Sequence, residues 1–416
     1  MKSTSVSSVF VVILLIGLGA AYVGRPTTEP SLVNETVPNL VSIGVITSTT
    51  QTYQIYEPYI RKIIEMDVND YAESVGSPIR FEFIIQDAEG RAAIHLEKMQ
   101  AFNSMDVRLV LGGMWSSQAC ASLSYSNYND MLMVSPSSTS PLKAIPRDNL
   151  FRLALTDLKQ APALVKVLEN KGVEAVVVIQ RGDSWADGIV EEFQPLFEKG
   201  GGKVIDNVRY SAELTTFEKY LKTAEDSLAE AVDEHGWDHV AVQLFSFDEA
   251  VMIIQEAKDY PTLYNVTWYG SDSTSQSSRI TDEAPDESAH LGLYGVNPIL
   301  PDSEETDEFL ARFQEATNTS CDFYDATSYD VAMLLARSVI DAGGDDVEAV
   351  KEAFREASYD YMGLTGLCRL DEADDRNSCI YAINGYAEKD NKVGIYQFGI
   401  VTENNEVTWF EELVGK

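Results

Sequence analysis

Short apolar runs alternate with amphipathic stretches along most of this chain, and no other feature restricts its fold as much. Val41-Ser42-Ile43-Gly44-Val45-Ile46 has the length and content of a buried strand, and residues 56–71 carry Ile60, Ile63, Ile64 and Val68 at helical spacing. Strand-like runs at 80–86, 108–111 and 131–134 follow, separated by helical patterns over 92–103 and from about Ser117. The alternation then starts afresh. Helical patterns at 160–170, 188–199, 217–234 and 248–257 interleave with apolar runs at 175–180, 203–210, 239–244 and 266–270. Runs apolar on both faces and linked by helices pair in parallel, so two successive blocks predict two α/β lobes with a crevice between them. Two more helices, near 307–317 and 326–342, precede a hairpin and a β-rich tail.

Composition narrows the functional classes. The 416 residues are 45% hydrophobic and 23% charged, ordinary for a globular protein. With 66 acidic and 31 basic residues the formal net charge is −35, and such a surface repels phosphate backbones, so no nucleic-acid partner is expected. Lys2 precedes an uncharged run over residues 9–24, closed by Arg25. That run suits a signal-peptide core or a retained membrane anchor, and a polar linker over 25–40 follows it. Sequons beginning at Asn34, Asn265 and Asn318 agree with a secreted route. Cys368 and Cys379 flank the polar turn at 371–376, which favours a disulfide across a hairpin; Cys120 and Cys321 are left as either a pair or free thiols.

Catalytic signatures are missing. There is no G-x-G-x-x-G, P-loop, H-E-x-x-H or G-x-S-x-G pattern. Ser140-Pro141-Leu142-Lys143 matches S-x-x-K without its companion motifs, and the acidic turn at 371–375 breaks EF-hand spacing at Ala373. The four histidines are scattered and no CxxC occurs, so no metal, cofactor or enzymatic activity is expected.

Two inferred strands end in hydroxyl-bearing loops. One continues as Gly112-Gly113-Met114-Trp115-Ser116-Ser117, the other as Ser135-Pro136-Ser137-Ser138-Thr139. Helix starts expose unpaired N–H groups, and neighbouring hydroxyls add neutral donors, a combination that holds carboxylates. Plain N-capping accounts for either loop alone. Two such loops on successive strands point to a site.

These motifs occur in a recognisable order. Ile43-Gly44-Val45, Gln86-Asp87-Ala88-Glu89-Gly90 and the two hydroxyl loops are followed by Phe151-Arg152, Asp157 and Gln160. Trp185-Ala186-Asp187-Gly188, Gly270-Ser271-Asp272 and Tyr329-Asp330 complete the series. The chain after its linker resembles the leucine/isoleucine/valine-binding family of ABC-transporter solute-binding proteins, with the type I periplasmic-binding (Venus-flytrap) fold. The resemblance implies two Rossmann-like parallel-sheet lobes joined by a multi-strand hinge, spanning 41–157 plus 291–361 and 158–290 plus 362–416. It implies that Ser116, Thr139 and N–H groups near Ser137 and Ser138 hold a ligand carboxylate, while Asp272 takes an ammonium group. Tyr53, Met114, Trp115, Ser117, Trp185, Phe245 and Ser246 would line the remainder. A loop-capping role for Asp272 and a core role for Trp185 are the competing readings. An acid beside aromatic faces suits a cation and hydroxyls at helix starts suit an anion, so one ligand needing both is a zwitterion. The implied protein is an extracytoplasmic monomer that captures an amino acid for a membrane permease; a urea- or amide-binding protein and the sensor domain of a receptor are the alternatives.

Overall fold

A computed structural model describes residues 39–141, 144–377, 380–402 and 404–410. The first lobe is built on β1 (Asn39–Thr47), β2 (Ile79–Asp87), β3 (Leu109–Leu111), β4 (Leu132–Ser135) and β5 (Leu150–Leu155). They pair in parallel in the order β2-β1-β3-β4-β5. Between β1 and β2 the helical path runs through Thr50–Tyr59, a π-helical turn at Ile60–Ile64, and Glu65–Ser74. The buried faces agree with the spacing in the sequence: Ile60, Ile63, Ile64 and Val68 all pack against the sheet. Gly44 in β1 is required by close approach, since a Cβ there would fall 2.5 Å from the Phe102 ring of the helix Ala92–Ser104.

The second lobe contains β6 (Ala175–Arg181), β7 (Lys203–Tyr210), β8 (Val240–Phe245) and β9 (Thr267–Tyr269), parallel in the order β7-β6-β8-β9. Val176, Val177, Val178 and Ile179 are all buried, as a central parallel strand requires. Tyr269 bridges in parallel to Tyr294, which leads into β10 (Gly295–Pro298).

A small hairpin, β11 (Met362–Gly363) with β12 (Gly366–Leu367), precedes β13 (Asp375–Arg376). The tail strands β14 (Tyr381–Lys389), β15 (Lys392–Val401) and β16 (Val407–Trp409) extend antiparallel from β10. The chain crosses between the lobes after Leu155, between Pro298 and the helix Glu304–Thr317, and between Arg376 and Tyr381.

Two sheet assignments differ from the boundaries read in the sequence. β10 belongs with the second lobe's strands, although residues from 291 on were expected in the first lobe. β13 pairs in parallel with β5 of the first lobe, although residues from 362 on were expected in the second. The physical reason is the salt bridge between Arg152 of β5 and Asp375 of β13, fully buried, which pins that short strand to the first sheet. A further helix, Val347–Ser358, packs Val350 and Phe354 onto the first sheet. Among the described residues no helix is long and apolar enough to cross a membrane. The apolar segment at 9–24, the sequon at Asn34 and the expected linker over 25–40 as far as residue 38 lie outside the described residues, whereas Asn265 and Asn318 are exposed. Asn39 and Leu40, expected in that linker, instead open β1, where they pair with Ile79 and Arg80.

Candidate functional site

The C-terminal ends of β3 and β4 converge, and the loops leaving them are tied to one another. Gly113 turns the chain at φ 68°, and a Cβ there would meet Ala119 and Met133 at 3.0 Å. Its N–H donates to His95 Nε2 (2.8 Å), and its carbonyl accepts from Ser135 Oγ (2.9 Å). His95 is fully buried and its Nδ1 lies 2.7 Å from Ser122 Oγ, so with Nε2 accepting, the ring carries its proton on Nδ1. Burial lowers its pKa to about 3, so the imidazole is neutral.

Ser137 Oγ donates to the Met114 carbonyl at 2.9 Å, and Ser138 N–H donates to Ser135 Oγ at 2.9 Å. Ser116, at the start of the helix Ser116–Tyr128, accepts on Oγ from Ser138 Oγ and from Ser140 N–H, both at 3.2 Å. Beneath this loop lies Arg152. It grips Asp375 through two bonds of 2.5 and 2.6 Å and donates to the carbonyls of Ser140 (2.7 Å) and Ser138 (3.3 Å). The loop thus rests on a buried guanidinium whose own charge is already met by a carboxylate.

Two further carboxylates sit at the lobe junction. Asp157, the first residue of the helix Asp157–Asn170, accepts from Thr139 Oγ1 (2.9 Å) and from Gln160 Nε2 (3.3 Å). Asp272, in the loop after β9, donates its N–H to Gln160 Oε1 (3.3 Å) and takes a short hydrogen bond from the Tyr324 hydroxyl. Gln160 therefore joins the two acids. Burial pushes the pKa of Asp157 well up, and the neighbouring Asp272 adds to the rise; burial also raises Asp272, against the hydrogen bonds from Tyr324 and Gln160. The nearby guanidinium, Arg152, is committed to Asp375. One seat thus presents hydroxyls on one side and two under-neutralised acids on the other, a setting that favours a positively charged group.

The lobes meet here directly. Tyr324 belongs to the helix Phe323–Ala342, packed on the first sheet, and Asp272 to the second lobe. Ser140 Oγ donates across to the Ser184 carbonyl (2.9 Å), and the Trp115 and Phe247 rings lie 5.4 Å apart.

A ligand crevice between two parallel-sheet lobes, outside the C-terminal ends of their strands, is where open α/β folds bind small molecules. The family model described as "Receptor family ligand binding region" matches residues 65–389 of this chain. The chain belongs to that family. As a receptor-family ligand-binding region it is 25% identical over 380 residues to an uncharacterised protein of Methanocaldococcus jannaschii, covering 86% of this chain and 90% of that one. It also shares the type I periplasmic-binding fold with a leucine-binding protein from Thermotoga maritima, at TM-score 0.71 and 19% identity over 88% of this chain and 100% of that one. A solute-binding protein of R. palustris solved with benzoate has TM-score 0.69 and 17% identity, over 91% and 99% of the two chains.

In this ligand-binding region the residues singled out in the sequence separate into groups. Ser116, Ser138 and Thr139 are together, buried, at the seat, and Asp272 faces them through Gln160 and Asp157. Trp115 and Trp185 are both in the aromatic contact beside it. Ser117 is half-buried one residue further along the helix, and Tyr53 sits in the first turn of Thr50–Tyr59 against the first lobe's core. Met114 packs its side chain into that same core and offers the seat only its backbone, while Ser137 spends its hydroxyl on Met114. Phe245 is buried among second-lobe residues, and Ser246 accepts from the Tyr210 hydroxyl (2.8 Å). Asp157, Gln160, Arg152 and Tyr324 were not assigned roles from the sequence. The first three lay within a noted motif, so their spacing was a usable signal; Tyr324 carried none. Cys368 is a buried thiol with Sγ 3.4 Å from the Gly366 carbonyl, and Cys379, with the expected pairing, lies outside the described residues. Cys120 and Cys321 are free thiols.

Proposed function

We infer that this chain is an extracytoplasmic solute-binding protein that closes its lobes on an amino acid or a similar small zwitterion and delivers it to an ABC-type permease. The observation that carries this reading is the pairing of Asp157 and Asp272 opposite the Ser116–Thr139 hydroxyls, with the Arg152 guanidinium already bound to Asp375. An ammonium group entering the seat neutralises the acids, and a carboxylate replaces the hydroxyl-to-hydroxyl bonds of Ser116 and Ser138. The leucine-binding relative from Thermotoga maritima supports the choice of an amino acid. The chain works as a monomer outside the cytoplasm, secreted or held by its N-terminal segment, and performs no chemistry on its ligand.

Hinge motion about the three crossovers supplies selectivity, because a ligand touching both lobes stabilises the closed form by its differential affinity. Native mass spectrometry of the purified protein identifies the co-purified ligand. Calorimetry then tests the charge argument: Asp272→Asn lowers amino-acid affinity about tenfold to several hundredfold, as for a shielded ion pair. Unchanged affinity removes Asp272 from the site and favours urea or a short amide, which needs no counter-ion. The family description favours one further reading, the sensing domain of a receptor. Reconstitution separates the two: a transporter component stimulates uptake by its permease, and a sensor does not.

A further inference from the structure

Each of three aromatic residues at the lobe junction is a sequence neighbour of a hydroxyl residue at or near the seat: Trp115 beside Ser116, Trp185 beside Ser184, and Phe247 beside Ser246. Their rings meet. Phe247 stacks on Trp185 at 4.6 Å and 24°, and lies 5.4 Å from Trp115 at 39°. The Arg181 guanidinium stands 4.1 Å from the Phe247 ring centre. One flat ring is therefore flanked by an indole from each lobe and covered by a planar cation. Arg181 is held by Asp183 (2.7 Å) and Glu249 (2.6 Å), so its charge is met and its flat face is what it offers.

The three rings differ in how firmly they are fixed. Trp185 is 3% exposed, on the first turn of the helix Ser184–Lys199, with the Phe245 ring edge-on at 6.4 Å. Trp115 caps the helix Ser116–Tyr128, with Gln118 Oε1 accepting its N–H at 3.4 Å. Phe247 lies on the short connection between β8 and the helix Ala250–Ala257 and is only half-buried. Its backbone carbonyl accepts from Ala250 N–H at 3.0 Å, so the side chain can swing out by rotamer change while its backbone stays anchored.

We propose that Phe247 holds the place of the ligand's side chain, and that the protein selects zwitterions bearing a flat aromatic ring, which displaces Phe247 between Trp115 and Trp185. The proposal rests on the zwitterion reading above and adds the identity of the side chain. An aromatic ligand exchanges one ring for another, keeping the indole stacking and the Arg181 face contact, whereas an aliphatic side chain forfeits both.

Calorimetry with phenylalanine, leucine and benzoate, on the wild type and on Phe247→Ala and Trp185→Leu, tests this. The expected result is phenylalanine binding at least tenfold tighter than leucine. Phe247→Ala strengthens phenylalanine binding several-fold, because no ring has to leave. Trp185→Leu narrows the phenylalanine-to-leucine ratio towards unity, a ratio that a general loss of stability would not change. Leucine binding as tightly as phenylalanine overturns the aromatic slot and leaves the zwitterion reading standing. Benzoate binding without phenylalanine binding overturns the zwitterion reading and this proposal's ligand class with it, leaving a ring slot for aromatic acids. Weaker phenylalanine binding in Phe247→Ala makes Phe247 a wall of the site and overturns the displacement. No binding of any of the three overturns the proposal.

Discussion

Acidification should strike this protein through His95. The ring is fully buried, and its Nε2 must stay unprotonated to accept from Gly113 N–H, the bond that shapes the turn leading to Ser116. Its folded-state pKa is about 3 against an ordinary value near 6.5. Between those two values the unfolded chain binds a proton that the native one does not, so stability falls as pH falls from about 6.5 towards 3. At about pH 4.5 the unfolded imidazole lies two units below its own pKa, which at 1.36 kcal/mol per unit gives about 2.7 kcal/mol lost, whatever the native pKa below that point. Other groups titrate in the same window, so the quantity to measure is a double difference. Urea unfolding of wild type and His95→Gln at about pH 7 and about pH 4.5 should show the wild type losing about 2–3 kcal/mol more than the variant. Glutamine keeps an acceptor for Gly113 and has nothing to protonate in this range. Equal losses in the two proteins would refute the account of His95 as a neutral, acceptor-only brace.

Two other perturbations probe the frame of the site. Arg152→Met leaves Asp375 buried without its partner and should cost about 3–5 kcal/mol in urea unfolding, with Arg152→Met/Asp375→Leu recovering much of the loss. Asp148 is 6% exposed, one of its carboxylate oxygens has no hydrogen-bond partner, and burial raises its pKa to about 6. An acid raised in the native state costs stability as pH climbs from about 4 through 6, so Asp148→Asn should raise the melting temperature at about pH 7 and leave it nearly unchanged at about pH 4.

The parallel-sheet core was legible because its signal is local. β1, β6 and β8 are mostly apolar and mostly buried, and the helices between them carry their buried residues three and four apart. What escaped depends on pairing at a distance. β13 is two residues long and is a strand only because Arg152 lies across from Asp375, 223 positions away in sequence. β10 joins the second lobe through a bridge from Tyr294 to Tyr269, which no periodicity reveals. The helix Val347–Ser358 did carry a signal, with Val347, Val350, Phe354 and Ala357 on one face, but its charged residues masked it. At the site, the hydroxyl loops were readable as strand-end chemistry. Asp157 stood in a motif, but its role stayed hidden, because a residue just past a strand reads as a helix start until its neighbour Asp272 is known. Phe247 looked like one more residue of a connecting loop, and only the ring contacts with Trp115 and Trp185 set it apart.

The triple crossing between lobes also governs the order in which a growing chain can finish its structure. The first sheet's apolar face, with Leu109, Leu111, Leu132 and Val134, is covered by the helix Phe323–Ala342, which leaves the ribosome only after the second lobe's four parallel strands. That second lobe is itself incomplete until β14 and β15 arrive near the chain's end. Neither half can therefore complete its core until late in synthesis, and a sticky open sheet persists for nearly half the length of the chain. With 66 acidic against 31 basic residues, like-charge repulsion keeps such half-built chains apart until the last strands close both lobes.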